Sequence, residues 1–403
     1  MTTETDQGQP CLPGGLIPLE QWTSPEVSVH KTLSVWFTDI LDQLREGITP
    51  EGLAFESLDG LPALSAKKLQ KYAPEPGAEP LAEALNEQLE ALRQSGVHNR
   101  QVSFLVAPPF SGVAEALLTM QRRVITPPEN LLMSEQDVVG WWDEQLGGDD
   151  WVLPELADFW LRHRSGLNLL KEFFARVALD NAGNGVVGCS SWCWQFWLRY
   201  LPELHVGPIT LAPLTGERLT QWLHYLAAEK SGRPLTARMT HDGLYVLPAQ
   251  AEDPKTKYSG FCQDLANLAR GNRGVTHAIW QRTLRAKPEE ETGQDDDEEN
   301  PVDGPKCWVV PLHQLSLPSV PHGSGLQAGF VLHALLMHNG LTAEQLEWVT
   351  GSAARELTLT LARFIRADVI LQDETTGVYR LTPLGYPSVR KYLQSKGFPV
   401  DGF

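Results

Sequence analysis

Apolar side chains recur along this chain in three different rhythms. Between residues 26 and 47 they fall at Leu33, Trp36, Phe37, Ile40, Leu41 and Leu44, the spacing of an amphipathic helix, with Gly47 as its stop. Residues 79–95 repeat that rhythm, with Leu81, Leu85, Leu89 and Leu92 on one stripe. Val102–Val106 is an almost unbroken apolar run, as expected of a strand covered on both faces. After it, Ser111–Met120 is helical. Val152–Leu156 reads as a second core strand, which Pro154 places at a sheet edge or a strand end. Residues 158–179 predict one long helix. Gly185–Cys189 predicts a strand that opens into a helix over Trp192–Tyr200, and Ile209–Leu211 a strand before a helix over Thr215–Ala228. Strands alternating with helices predict βαβ units and a parallel sheet.

The third rhythm lies toward the end of the chain. Residues 258–285 are helical with a break at Arg270–Gly274, and residues 286–305 are too polar to bury anything. Helices are then predicted over Leu326–His338, from Thr342 to Thr350, and over Ser352–Asp368. Thr342 and Gln345 carry the spacing of a capping box at the start of the second. Two strands around a polar turn follow over Val369–Leu381, with a last helix after Pro383. Three helices and a hairpin in this order make a winged helix-turn-helix. The expected divisions are a flexible N-terminus (1–25), a helical region (26–99), an α/β domain (100–230), a helical lid (231–285), an acidic linker (286–324) and the winged helix (325–403).

Charge narrows the partners. The 403 residues carry a formal charge of −17, and residues 289–299 alone hold eight acids; without them the balance is still −9. Binding to free nucleic acid needs clustered Lys and Arg, so DNA is disfavoured as the main partner. The winged-helix segment is itself balanced, with seven basic and seven acidic residues. Its third helix offers Arg355, Arg363 and Arg366 as candidate partner-binding residues, while Asp373 and Glu374 would set negative charge at the wing tip. A protein partner or an intramolecular contact fits this balance better than DNA. Five cysteines, sparsely spaced, do not make a disulfide framework. Met1–Pro13 shows no basic-then-apolar leader and no apolar run reaches membrane length, so a cytoplasmic protein is expected.

The candidate chemistry sits where Val102–Val106 gives way to its helix. A strand, a tight loop and a helix start are the setting of the phosphate-binding motif G-x-x-x-x-G-K-[ST]. Here Ala107 stands at the opening glycine, Gly112 is kept, and Val113 and Ala114 fill the lysine and hydroxyl positions. The backbone at Ser111 and Gly112 remains able to hold a small anion or nucleotide weakly. Ser190 and Ser191 lie at the carboxyl end of another predicted strand, where open α/β sheets bind ligands. Glu155 is read as an ordinary surface carboxylate, and Cys189 and Cys193 as packed thiols. His333 and His338, five apart, are read as structural, and most of the tryptophans from Trp141 to Trp197 as core. Nothing resembles a catalytic triad or a zinc site, so no cofactor or metal is expected.

Taken in order, these elements resemble the core of AAA+ and STAND-type P-loop ATPases. The phosphate-loop setting, the second core strand, the polar tip at Gly188–Ser191 and the segment Ile209–Leu219 follow one another as in those families, and Arg270–Gly274 resembles the turn of their helical lid, with Arg273 where proline is usual. A winged helix after the lid is the STAND order. The resemblance implies a P-loop-like parallel sheet with a lid. It also implies an inactive relative, because the lysine that holds the phosphates and the hydroxyl that holds magnesium are both replaced, and Glu115 would repel phosphate. Arg270, Arg282 and Arg285 fall in or near the lid. The expected function is a scaffold or regulator acting through protein contacts. Two alternatives remain: a divergent nucleotide-binding NTPase, and a winged-helix transcriptional regulator.

Overall fold

The computed structural model describes residues 9–25, 61–95, 101–203, 206–247, 257–286 and 305–403. The helix expected over 26–47 lies outside them, as does the acidic run 289–299. The strands are β1 (Leu16–Pro18), β2 (Val102–Ala107), β3 (Arg123–Val124), β4 (Trp151–Leu153), β5 (Gly185–Ser190), β6 (Ile209–Leu211), β7 (Thr236–Met239), β8 (Tyr245–Leu247), β9 (Leu284–Arg285), β10 (Lys306–Val309), β11 (Ile370–Gln372) and β12 (Tyr379–Leu381). The helices are α1 (Ala66–Tyr72), α2 (Ala78–Gln94), α3 (Val113–Thr119), α4 (Glu135–Gln145), α5 (Asn168–Ala178), α6 (Ser191–Tyr200), α7 (Gly216–Ser231), α8 (Phe261–Leu268), α9 (Arg273–Thr283), α10 (Leu326–Met337), α11 (Ala343–Thr350), α12 (Ala354–Arg366) and α13 (Tyr386–Ser395).

The main sheet has the order β1-β6-β2-β5-β4-β3, parallel except for β1 against β6. Alternation along β2 explains its unbroken apolar run. Phe104 and Val106 face α4, α5 and α6 with Val187 and Cys189, whereas Leu105 and Ala107 face α2 and α3 with Val186 and Ile209. Both faces are covered, so neither set of positions can be polar. The aromatic side is dense: Phe104 meets Phe173, Phe174 and Trp194, and the Trp142 indole N–H donates to the Leu169 carbonyl at 2.8 Å. Of the tryptophans between Trp141 and Trp197, all but Trp141 are buried.

Several expectations need correction. Residues 9–25 are not a loose tail, because β1 pairs with the sheet and Trp22 packs on Phe403 with ring centroids 4.7 Å apart. The α-helix of the 158–179 stretch covers only Asn168–Ala178; before it come an extended residue at Trp160 and a short turn at Ser165–Leu167. Gly166 explains that break, since a Cβ there would stand 2.5 Å from the Leu161 carbonyl. β4 stops at Leu153, before Pro154, and lies between β3 and β5 rather than at an edge.

The stretch 231–285 holds α8 and α9 but also β7, β8 and β9. With β10 these form a second sheet of order β8-β7-β10-β9, in which Trp308 and Val309 pair with Arg285 and Leu284. The acidic linker expected over 286–324 is therefore corrected: its part from residue 305 onward holds β10, buried Cys307 and Val309, and Leu312, Leu315 and Leu317 packed on the core.

The winged helix forms as expected. Thr342 and Gln345 make their reciprocal capping box, and Leu357, Leu361 and Phe364 of α12 are buried. Its core is continuous with that of α7–α9. No helix among the described residues is long and apolar enough to cross a membrane.

Candidate functional site

Strands β2 and β5 are neighbours whose following helices, α3 and α6, pack on opposite faces of the sheet. Such a pair leaves a crevice at the carboxyl ends of the strands, where open α/β sheets bind ligands. Here the crevice is small, about 50 Å³, and is lined by the loop 107–115, by Pro154 and Glu155, by Cys189 and Ser190, and by Asn339 from the winged helix. Ser111, Gly112 and Ser190 therefore meet, although they lie far apart in the chain.

The loop is held from three sides. Phe110 and Gly112 both have left-handed backbone (φ 66° and 81°), a conformation that costs a non-glycine residue about 1 kcal/mol. The turn before α9 fixes it: the Asn272 side chain donates to the Pro109 carbonyl at 2.7 Å and accepts from the Val275 N–H, capping α9. A Cβ on Gly274 would stand 2.1 Å from the Phe110 carbonyl, so only glycine lets α9 approach this closely. From the winged helix, the Tyr386 ring meets the Phe110 ring edge-on at 5.8 Å.

The lining carries carboxyl groups and no Lys or Arg. Val113, at the start of α3, is buried and packs with Leu105, Ala116 and Leu117. Glu115 sits in the first turn of α3, where a carboxylate complements the helix dipole. Glu155 is buried, which corrects its reading as a surface group. One of its oxygens accepts from the Ser190 and Ala157 N–H groups, both at 2.9 Å. Burial, then the nearby Asp158, pushes its pKa up to about 8 despite those two bonds. Asp158 is itself raised to about 6 by burial, with Arg380 opposing the shift. The Ser190 hydroxyl is buried with no hydrogen-bond partner among the described residues.

Ser191 does not belong to the crevice. Its hydroxyl donates to Asp401, which also pairs with the Arg390 guanidinium at 3.2 Å. The same joint takes in Arg270, whose Nε donates to the Phe403 carbonyl at 2.8 Å, and Trp192, whose indole N–H donates to the Tyr386 hydroxyl at 3.1 Å. Arg162 adds a bond to the Val349 carbonyl, and His338 stacks near Trp160 at 4.4 Å. The winged helix is thereby docked over the carboxyl edge of the sheet. His333 and His338 are buried in that interface, and desolvation lowers their pKa values to about 4 and 3. Arg285 donates to the Arg282 carbonyl, and neither residue lines the crevice. Arg355, Arg363 and Arg366 are exposed on α12 and do not line it either. Cys189 and Cys193 are buried, with desolvation raising both thiol pKa values, and no group of metal-ligating side chains occurs among the described residues.

Beyond the loop, toward α9, lies a second cavity of about 320 Å³, bounded by Leu81, Phe110, Gly112, Arg273 and His277 and by the carboxylates of Glu75 and Glu115. Arg273 is buried, donates to the Cys11 carbonyl at 2.6 Å and lies 4.9 Å from the Trp222 ring centre. No carboxylate pairs with it among the described residues, and burial lowers its pKa to about 10. Sequence reasoning singled out the turn Arg270–Gly274 but passed over Arg273 as the occupant of a proline position. Asn339 and Asp401 carried no local signal, because they reach the sheet only through the docked winged helix.

No family model and no curated protein sequence matches the chain. Among solved structures it is similar to the Orc1 protein of Aeropyrum pernix in complex with DNA, at 16% identity over 93% of this chain and 94% of that one, with a TM-score of 0.23.

Proposed function

We propose that this protein is a non-hydrolysing relative of P-loop ATPases that works as a scaffold or regulator through protein contacts. The observation that carries the reading is the chemistry of the crevice: two carboxyl groups, Glu115 and Glu155, and no Lys or Arg. A triphosphate needs cations in that place, and a magnesium ion needs a hydroxyl that Ala114 does not supply. The buried position of Val113 adds support, since it gives the crevice wall an apolar side chain packed against the core and no cation. Docking of the winged helix beside the loop, through Asn339 and Tyr386, suits a molecule whose shape is its product.

The test is turnover of ATP and GTP by the purified full chain with magnesium. Rates at the no-enzyme background are expected; turnover near one per second that disappears in Glu155→Gln would end the proposal. A second reading, nucleotide binding without hydrolysis, has one observation in its favour: the 320 Å³ cavity beside the loop, with Arg273 buried and lacking a carboxylate. It predicts that ADP raises the melting temperature and that Arg273→Met removes the shift.

A further inference from the structure

The helix α12 presents one face that nothing among the described residues covers. Arg355, Leu359, Ala362 and Arg366 are spaced four, three and four apart, so they share a stripe, and Thr358 and Arg363 flank it. All six are exposed, and Leu359, near the centre, is 59% exposed. The opposite side is the one that packs, through Leu357, Leu361 and Phe364. The stripe and its flanks hold three guanidinium groups and one carboxylate, Glu356, which shares the flank of Arg363; Asp368 lies off it, so the face is net basic. None of the three arginines forms an ion pair among the described residues, and the bond from Arg363 to the His322 carbonyl is long at 3.5 Å.

We propose that this face docks an acidic amphipathic helix of a partner protein. The inference rests on the scaffold reading above and gives that reading its partner chemistry. An apolar centre ringed by arginines is the composition of a protein interface, where a desolvated core supplies the energy and Arg supplies orientation. The complement is a helix with a narrow apolar stripe flanked by Glu and Asp, whose charge also speeds encounter. Duplex DNA fits less well. The wing turn, with Asp373 and Glu374 exposed, would bring negative charge toward phosphate, and the centre of the helix offers Leu359 and Ala362 where base edges need donors and acceptors.

The full chain is titrated against a labelled synthetic peptide of about sixteen residues, four helical turns, with Leu and Phe at helical spacing and Glu elsewhere. A scrambled peptide of equal charge and a 20-base-pair duplex are the controls. The expected Kd for the peptide is on the order of 10–100 µM at about 0.1 M salt. Arg355→Glu with Arg366→Glu is expected to weaken it at least tenfold, and Leu359→Ser about fivefold. Because the changed residues are exposed, all variants are expected to fold, and a melting curve checks this directly. Equal binding of the scrambled peptide would overturn the apolar part of the inference. No binding, binding unmoved by the charge reversal, or tighter retention of the duplex lost in the same variants would overturn it outright. ATP turnover, which bears on the scaffold reading, is measured separately, so the two can fail independently.

Discussion

The crevice at the end of β2 and the outer face of α12 are opposites in every respect that matters for binding. The crevice is small, lined by the carboxyl groups of Glu115 and Glu155 with no cation, and bordered by Asn339 beyond the sheet; burial raises the Glu155 pKa to about 8. The α12 face is exposed and net basic among the described residues. Phosphate chemistry requires the first surface to be cationic, and it is not. The contrast teaches that the most enclosed surface of a fold need not carry its usable charge, which here lies on a helix turned outward, and that a pocket's shape is poor evidence of activity without its charges.

The most damaging blow to this contrast is aimed at the joint that closes the crevice. Asp401→Ala leaves Arg390 buried without its carboxylate and removes the acceptor of Ser191, so unfolding free energy is expected to drop by about 3–5 kcal/mol, read from a denaturant curve. An unchanged curve would mean that the winged helix is not held there. A smaller effect is expected from rebuilding the motif with Val113→Lys and Ala114→Thr. Because position 113 faces the core, the pair is expected to destabilise by about 1–3 kcal/mol and to create no ATP turnover. Recovered turnover would show that the lost charge, rather than the crevice, is all that separates this protein from an enzyme.

The subtlest effect is on pH dependence. The Glu155 pKa is raised from its ordinary value of 4.5 to about 8, so the folded state holds a proton that the unfolded state has released. Stability from this group is complete below about pH 4.5, declines by at most about 1.4 kcal/mol per pH unit above it, and is gone once pH passes about 8. Glu155→Gln keeps a neutral side chain and removes that slope, so the variant is expected to gain on the wild type between pH 5 and pH 8. Equal slopes from melts at the two pH values would show that Glu155 is ionised in the fold.

Much of this architecture was legible before any coordinates. Continuous apolar runs at Val102–Val106 and Gly185–Cys189 marked the two strands that frame the crevice, and the capping box at Thr342 marked the winged helix. Ser111, Gly112 and Ser190 could be placed at the carboxyl ends of β2 and β5 because strand ends and helix starts are local features. What escaped depended on distant partners. β3 and β9, two residues each, have no period to detect, and β7 and β8, a short hairpin of four and three residues, are completed as a sheet only by β10, which pairs with β7 from some 70 residues away. Glu155 looked solvent-facing beside a proline, yet the β5 end closes over it. Ser191 looked like the twin of Ser190, but the first residue of α6 points to Asp401, 210 residues later.

The pairing of β9 with β10 bears on how the protein tolerates damage. Leu284 and Arg285 are hydrogen-bonded neighbours of Val309 and Trp308, so the acid-rich stretch between them starts and finishes at the same spot on the molecule. Lengthening it would not move the winged helix away from the sheet. A protease that nicked it would yield two fragments that run separately on a denaturing gel yet travel as a single species through a sizing column.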